Sequence, residues 1–594
     1  MSISRRNLLI ATSAAAGGSL VLSACSSGGG SDSSKPPKGG ATKYTAAEVK
    51  IGTKKESTGP APEVPGSRKG GTIYGVAASD VSHLDPQRIY FAYNSSIANL
   101  FARGLTGYYT DMEGHQTLVG DLATDTGTSS ADKKTWTFTL KEGLKWQDGS
   151  ELTLDDVRHG FERAWAPFIT EGAAYVQQAL TGKGAKWRDA YEGPYKGKHL
   201  DSIVTDKKKR TITFKLAEPR PDFNFTLAMH SYCATPVKHD TKEKYDKAPF
   251  SCGPYIVKHR SIDKSMTLTR NKYWDPKTDP IRTAYPDSFE FEFGPTQLES
   301  NDRFIADQGN DKQMVALYEP IPAERMQKVL TTSDIKKRSF NGLSSGTYYF
   351  AINMKRVTDV EVRKALLIAW PLEQSRRIYG GVAAGDYATT ILSPDIIGYD
   401  KFDIYGKLKK PEGDVKRAHD ILKKADKLGT KIVYAFPRRP SYEKTKIIIE
   451  KNLKAAGFDP VLKPLNDTDY YDQVQRLDNK YDVMWFGWSP DWPTAYTMMQ
   501  PLMDGAAIGN GQNNVSQVNI PWINEAIKKN AVIPDPKEAG KAWAALDKRI
   551  MTEVVPIIPE TFQRRWYLHG SKVGGAIHDP QFAATLLTKT YVKA

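Results

Sequence analysis

Apolar residues recur along this chain with two different periods, and the periods alternate from one end to the other. Trp136, Phe138 and Leu140 share one face of an alternating segment, as do Ile212, Phe214 and Leu216, and again Phe289, Phe291 and Phe293. A period of two predicts half-buried antiparallel strands. Val157, Phe161 and Trp165 instead recur every four residues behind Thr153, a helix N-cap with Asp156 three positions on. Val362, Ala365, Leu366 and Ala369 repeat the helical period, as do Trp543, Leu546 and Ile550. Strands and helices are therefore interleaved, which predicts a multi-lobed α/β protein, and no repeat of roughly 20–50 residues suggests a solenoid.

The N-terminus departs from this pattern. Two arginines in Ser4-Arg5-Arg6-Asn7-Leu8-Leu9 precede an apolar run from Leu8 to Leu22 that closes on Leu22-Ser23-Ala24-Cys25. The run is short for a membrane span of roughly 20 residues and is diluted by Ser, Thr and Gly. The segment reads as an export signal over 1–25: the arginine pair resembles a twin-arginine signal, and the last four residues resemble a lipobox, with Cys25 lipidated. Residues 26–68 are rich in Ser, Gly, Pro, Lys and Thr and predict a flexible linker.

Beyond it, the length predicts two to four domain-sized units, and 40% hydrophobic with 10% aromatic residues is ordinary for a packed protein. The net charge of +15 is scattered, and its densest run, Lys207-Lys208-Lys209-Arg210, fits a solvated hairpin turn, so no nucleic-acid partner is expected. With Cys25 assigned to lipid, Cys233 and Cys252 remain in an oxidising compartment and predict a structural disulfide. Two cysteines nineteen apart without clustered histidines predict no metal site.

Catalytic patterns fail in context. Gly342-Leu343-Ser344-Ser345-Gly346 matches G-x-S-x-G, but a nucleophile elbow needs a strand before it and a helix after, and here strand-like Thr347 to Ile352 follows. There is no H-E-x-x-H, C-x-x-C or P-loop. Neither an enzyme nor a cofactor is expected.

Thr135 to Val157, TWTFTLKEGLKWQDGSELTLDDV, resembles the signature segment of the bacterial extracellular solute-binding proteins of family 5, the peptide and nickel receptors of ABC importers. Leu84-Asp85-Pro86, Leu100-Phe101, Gly253-Pro254-Tyr255, Arg270-Asn271, Tyr273-Trp274, Tyr348 to Asn353, Val362 to Leu366, Ala418 to Leu422 and Trp488 to Asp491 extend the likeness in order. The resemblance implies a two-lobed α/β fold of the periplasmic-binding-protein type II, with an additional inserted domain and a hinge. Carried onto this chain, the first lobe comprises 69–101, 236–345 and 566–594, the inserted domain 102–235, and the second lobe 346–565.

The same resemblance implies the site. Peptide binders of the family hold the ligand's α-ammonium on an aspartate three residues after a tryptophan, here Asp491 after Trp488, and pair the peptide backbone with segments matching Tyr90-Phe91-Ala92 and Gly487-Trp488-Ser489. Arg476 matches a basic position that reaches the ligand carboxylate, whereas Trp485 stands where the oligopeptide binders place a second arginine. Trp485, Trp488, Trp492 and Tyr496 form an aromatic group able to pack or to stack on a ligand, and Tyr175 lines the cleft from the inserted domain. The implied protein is a monomer, lipid-anchored outside the membrane, that captures di- or oligopeptides and delivers them to an ABC permease. Rival readings are a receptor for an oligosaccharide or other solute, an exported hydrolase, and a structural envelope protein.

Overall fold

Each alternating segment becomes a strand, and the strands gather into three main sheets. The structure, a computed structural model, describes residues 49–90 and 92–594, so the signal, Cys25 and Phe91 lie outside the described residues. A four-stranded antiparallel sheet runs Thr128–Ser129, Thr135–Thr139, Thr211–Lys215, Ile203–Asp206. Trp136 pairs with Phe214 and Phe138 with Ile212, so both strands lay their apolar faces on one core with Val157 and Phe161 of helix Leu154–Glu162. Thr153 and Asp156 close that helix's capping box. Lys207 to Lys209 are exposed at the hairpin turn between the last two strands, where Lys207 pairs with Asp155 at 2.7 Å.

A five-stranded mixed sheet follows the order Met314–Ala316, Thr72–Ala77, Ser288–Phe293, Ser265–Arg270, Tyr255–Ser261. The seven-stranded sheet contains Ser339–Leu343, Ile557–Leu568, Thr347–Ile352, Val483–Trp488, Lys431–Pro437 and Asp459–Leu465 in that order, with Gly385–Tyr387 added on Ile557–Leu568. Helices Val360–Ala369, Pro440–Ala455 and Pro536–Glu553 share its core. The Ser344 loop enters strand Thr347–Ile352, with Ser344 buried and its N–H bonded to the Gln563 carbonyl at 2.8 Å. Gly346 has φ +117°, and a Cβ there would lie 2.1 Å from the Trp488 carbonyl oxygen, which explains glycine at this close crossing.

Two networks of buried charge fasten the four-stranded region to the five-stranded one. Arg163 pairs with Asp85 at 2.7 Å and Asp240 at 3.1 Å. Arg282 pairs with Asp121 at 3.0 Å and Asp279 at 3.1 Å, and Arg103 adds Asp121 at 2.7 Å. Asp85 also caps the short turn Pro86–Arg88, which fixes the approach to Tyr90.

Two expectations are corrected. The linker does not extend to residue 68: Lys50–Ile51 pairs in parallel with Gln116–Gly120, Ser57 is buried and bonds the Gly120 N–H at 2.9 Å, and Ala61 and Val64 are buried. A polar segment is held here by backbone pairing, which composition does not register. Cys233 and Cys252 are buried free thiols, not a disulfide. Both thiols are buried among apolar residues, Cys233 in the core that includes Phe101 and Tyr255 and Cys252 in the adjoining one that includes Leu105 and Trp136.

Candidate ligand-binding cleft

Strand Val483–Trp488 positions the candidate site through the way its two edges are used. Its residues pair with Thr347–Ile352 along the whole length, but with Lys431–Pro437 only through Val483 and Met484. The Trp485 carbonyl accepts from the Tyr470 hydroxyl at 2.7 Å, and that hydroxyl also reaches the Ala435 carbonyl, so Trp485 faces the Lys431–Pro437 side. Alternation puts the Gly487 N–H and C=O on the same side, beyond the last rung of that pairing. An added extended backbone fits such an edge. Gly487 also makes room for Tyr348, whose ring would lie 2.7 Å from a Cβ there.

Just past the strand, Asp491 brings three distant segments together. Its Oδ2 accepts from the Tyr90 hydroxyl at 3.3 Å and, closer, from the Tyr175 hydroxyl at the start of helix Tyr175–Thr181. Gln581 Nε2 donates to its carbonyl at 2.9 Å. Asp491 retains some solvent contact yet is enclosed by protein, as a group in a cleft floor is. Burial pushes its carboxyl up to about 6, opposed by the two hydroxyl donors. Enclosure of the hydroxyls, then the adjacent carboxylate, raises Tyr90 and Tyr175 well above their usual range, so both stay donors, although the Tyr90 side chain is partly open to solvent. Clustered donors around a raised carboxylate form a cation-accepting group.

The other expected residues divide. Trp485 is buried, stacks on Tyr348 with ring centroids 5.7 Å apart and leans on Tyr442 at 5.0 Å. Trp488 is half-buried with its indole N–H on the Thr497 carbonyl at 2.7 Å, and Ser489 is exposed beside it. Trp492 is 2% exposed and wedged against Leu118 and Phe225, its indole N–H on Asp222 at 2.8 Å. It spans to the region of the four-stranded sheet and is a packing element. Arg476 is exposed and bonds Asp478 at 3.0 Å, apart from the group around Asp491. Ala92 opens helix Ala92–Ala98.

Sequence reasoning missed a cavity of about 330 Å³ on the Trp485 side. Its lining includes Tyr318 and Glu319 after the five-stranded sheet and Tyr348, Arg376, Arg439, Trp485, Glu560 and Arg565 from the seven-stranded region. Thr561, Gln563 and Arg565 all line it from strand Ile557–Leu568. That period-two run of polar residues is the signal that was available. Burial pushes the Glu560 carboxyl up to about 7, against polar contact with Trp485 and Ser375.

Comparison with known proteins agrees with this architecture. The family model of the bacterial extracellular solute-binding proteins, family 5 Middle, matches residues 117–510. The dipeptide-binding protein DppE of Bacillus subtilis is 24% identical over 479 residues, 76% of this chain and 80% of that protein. The oligopeptide-binding protein OppA of the same organism is 23% identical over 497 residues, 80% of this chain and 84% of that protein. The solved clavulanic acid biosynthesis oligopeptide binding protein 2 superposes with a TM-score of 0.82 at 25% identity, covering 91% of this chain and all of that one. Among the described residues no helix is long and apolar enough to cross a membrane. The chain belongs to the bacterial extracellular solute-binding proteins of family 5, binding proteins rather than enzymes, and has their two-lobed type II periplasmic-binding-protein fold.

Proposed function

We propose that this protein is a lipid-anchored receptor that captures peptides outside the membrane and hands them to an ABC permease by hinge closure. Asp491 carries the reading: a carboxylate that accepts from Tyr90 and Tyr175, on a backbone held by Gln581, shortly after the open backbone edge at Gly487. The peptide's α-ammonium sits on Asp491 and its backbone extends the strand at Gly487, so main-chain contacts supply affinity largely independent of sequence. The names of the DppE and OppA relatives support a peptide cargo. The proposed first lobe is 69–101, 236–345 and 566–594, the inserted domain 102–235 and the second lobe 346–565.

An oligosaccharide or other solute is the second reading, favoured by the Trp485, Tyr348 and Tyr442 rings that line the cavity. Mass spectrometry of ligand released from natively produced protein, followed by calorimetry with peptides and matched sugars, separates the two. Recovery of peptides with a free N-terminus is expected; recovery of uncharged sugars whose binding ignores Asp491→Asn favours the second.

A further inference from the structure

The cavity beside Trp485 holds more positive charge than its own acids neutralise. Arg565 has five N–H donors, yet its contacts are with neutral oxygens at the edge of hydrogen-bonding range: Gln563 Oε1 at 3.4 Å, the Tyr348 hydroxyl at 3.4 Å and the Ala583 carbonyl at 3.5 Å, with the Tyr567 hydroxyl beside it. Arg376 lies over the Tyr387 ring, 3.8 Å from its centroid. Among the described residues no carboxylate pairs with either guanidinium within 4.0 Å. Arg439, the third cation of the lining, is already paired with Asp467 at 2.7 Å.

The two acids of the lining are otherwise engaged. Glu319 accepts from the Ala78 N–H at 2.8 Å, and Glu560 is buried with Trp485 and Ser375 lowering its carboxyl against that burial. Burial raises both carboxyls, that of Glu560 to about 7, which weakens the negative charge it offers near neutral pH. An enclosed guanidinium whose contacts are all neutral lacks the compensation that an opposite charge would give, and a planar fork is matched by a carboxylate.

On the reading of this cleft as the ligand site, we infer that Arg565, assisted by Arg376, receives a carboxylate of the ligand in this cavity. The charge comes from the end of a peptide chain or from an acidic side chain. This assigns the anion-binding role to strand Ile557–Leu568, whereas Arg476 is turned to Asp478 and Trp485 carries no charge.

Tryptophan fluorescence reads the test, because Trp485 lines the same cavity. The probes are trialanine and its C-terminal amide, Ala-Glu-Ala-amide and Ala-Gln-Ala-amide, and glutarate as a carboxylate without a peptide. At least one carboxylate probe should bind the wild type about tenfold to a hundredfold more tightly than its neutral match, the range for a charge-assisted contact. The trialanine pair reports a terminal carboxylate and the Glu/Gln pair a side chain. Arg565→Gln should erase that preference, so that charged and neutral probes bind the variant equally, Arg565→Lys should restore part of it, and Arg376→Gln should reduce it, with circular dichroism checking the fold of each. Equal binding of charged and neutral probes, a preference that survives both Gln variants, or no binding of any carboxylate probe overturns the inference. Peptides that bind without charge preference leave the peptide reading standing alone. Glutarate bound through Arg565 with every peptide rejected leaves the anion site standing and removes the peptide reading.

Discussion

At the scale of single residues, the site is a set of groups whose ionisation has been shifted by enclosure. The Asp491 carboxyl lies at about 6 because burial disfavours its charged form. A ligand ammonium binds that charged form, so binding expels a proton at acidic pH. Affinity for a peptide with a free N-terminus should therefore rise with pH up to about 6 and level off above it, approaching a tenfold loss per unit on the acid side. Calorimetry from pH 4.5 to 7.5 reads the profile, and Asp491→Asn should flatten it; an unchanged profile in that variant contradicts the assignment. The cysteines follow the same physics. Burial pushes the Cys252 thiol up to about 12 and Cys233 well above its usual value, and thiolate is the reactive form. Both should resist a thiol reagent in the folded protein and both titrate after unfolding without reductant; two silent cysteines in the unfolded chain would restore the disulfide expected from compartment alone.

At the scale of elements, buried ion pairs hold the binding segments in place. Arg163, Asp85 and Asp240 are nearly inaccessible to water, and Asp85 caps the turn that leads to Tyr90. Arg163→Met strands two carboxylates and should cost roughly 3–5 kcal/mol, seen as a lowered unfolding temperature; an unchanged temperature would mean the network contributes no net stability. Gly487→Ala should displace the Tyr348 ring from its stack on Trp485, since the new Cβ would sit 2.7 Å from it, and weaken ligand binding while the circular dichroism stays that of the parent. The strands through Trp136, Ile212 and Phe289 were legible because side-chain period and burial coincide there. Lys50–Ile51 was not, because its order comes from backbone pairing with Thr117 and Leu118. The cavity was half legible: Thr561, Gln563 and Arg565 alternate, but nothing local says that their face meets Tyr318 across a gap.

At the scale of the whole molecule, the fold brings residues that are remote in sequence together at the proposed site. Asp491 meets Tyr90, Tyr175 and Gln581 only because the segments around Tyr90 and Tyr175 and the chain's last segment return to it. Their convergence could not be read from local pattern, and the family resemblance supplied Asp491 and Tyr90 but not Gln581 or Arg565. Anchoring is a separate property of the N-terminus: Cys25→Ala should abolish labelling by a fatty-acid probe, and unchanged labelling would exclude the lipobox. The most direct test of peptide capture is a thermodynamic cycle by calorimetry, pairing wild type and Asp491→Ala with a bound peptide and its N-acetylated form. Each single change should cost roughly 3–5 kcal/mol, as removal of one partner of an enclosed pair does, which is two to three orders of magnitude in affinity. Together they should cost little more than either alone, because both delete the same contact. Full additivity, or acetylated peptide binding as tightly as the free amine, would contradict the account.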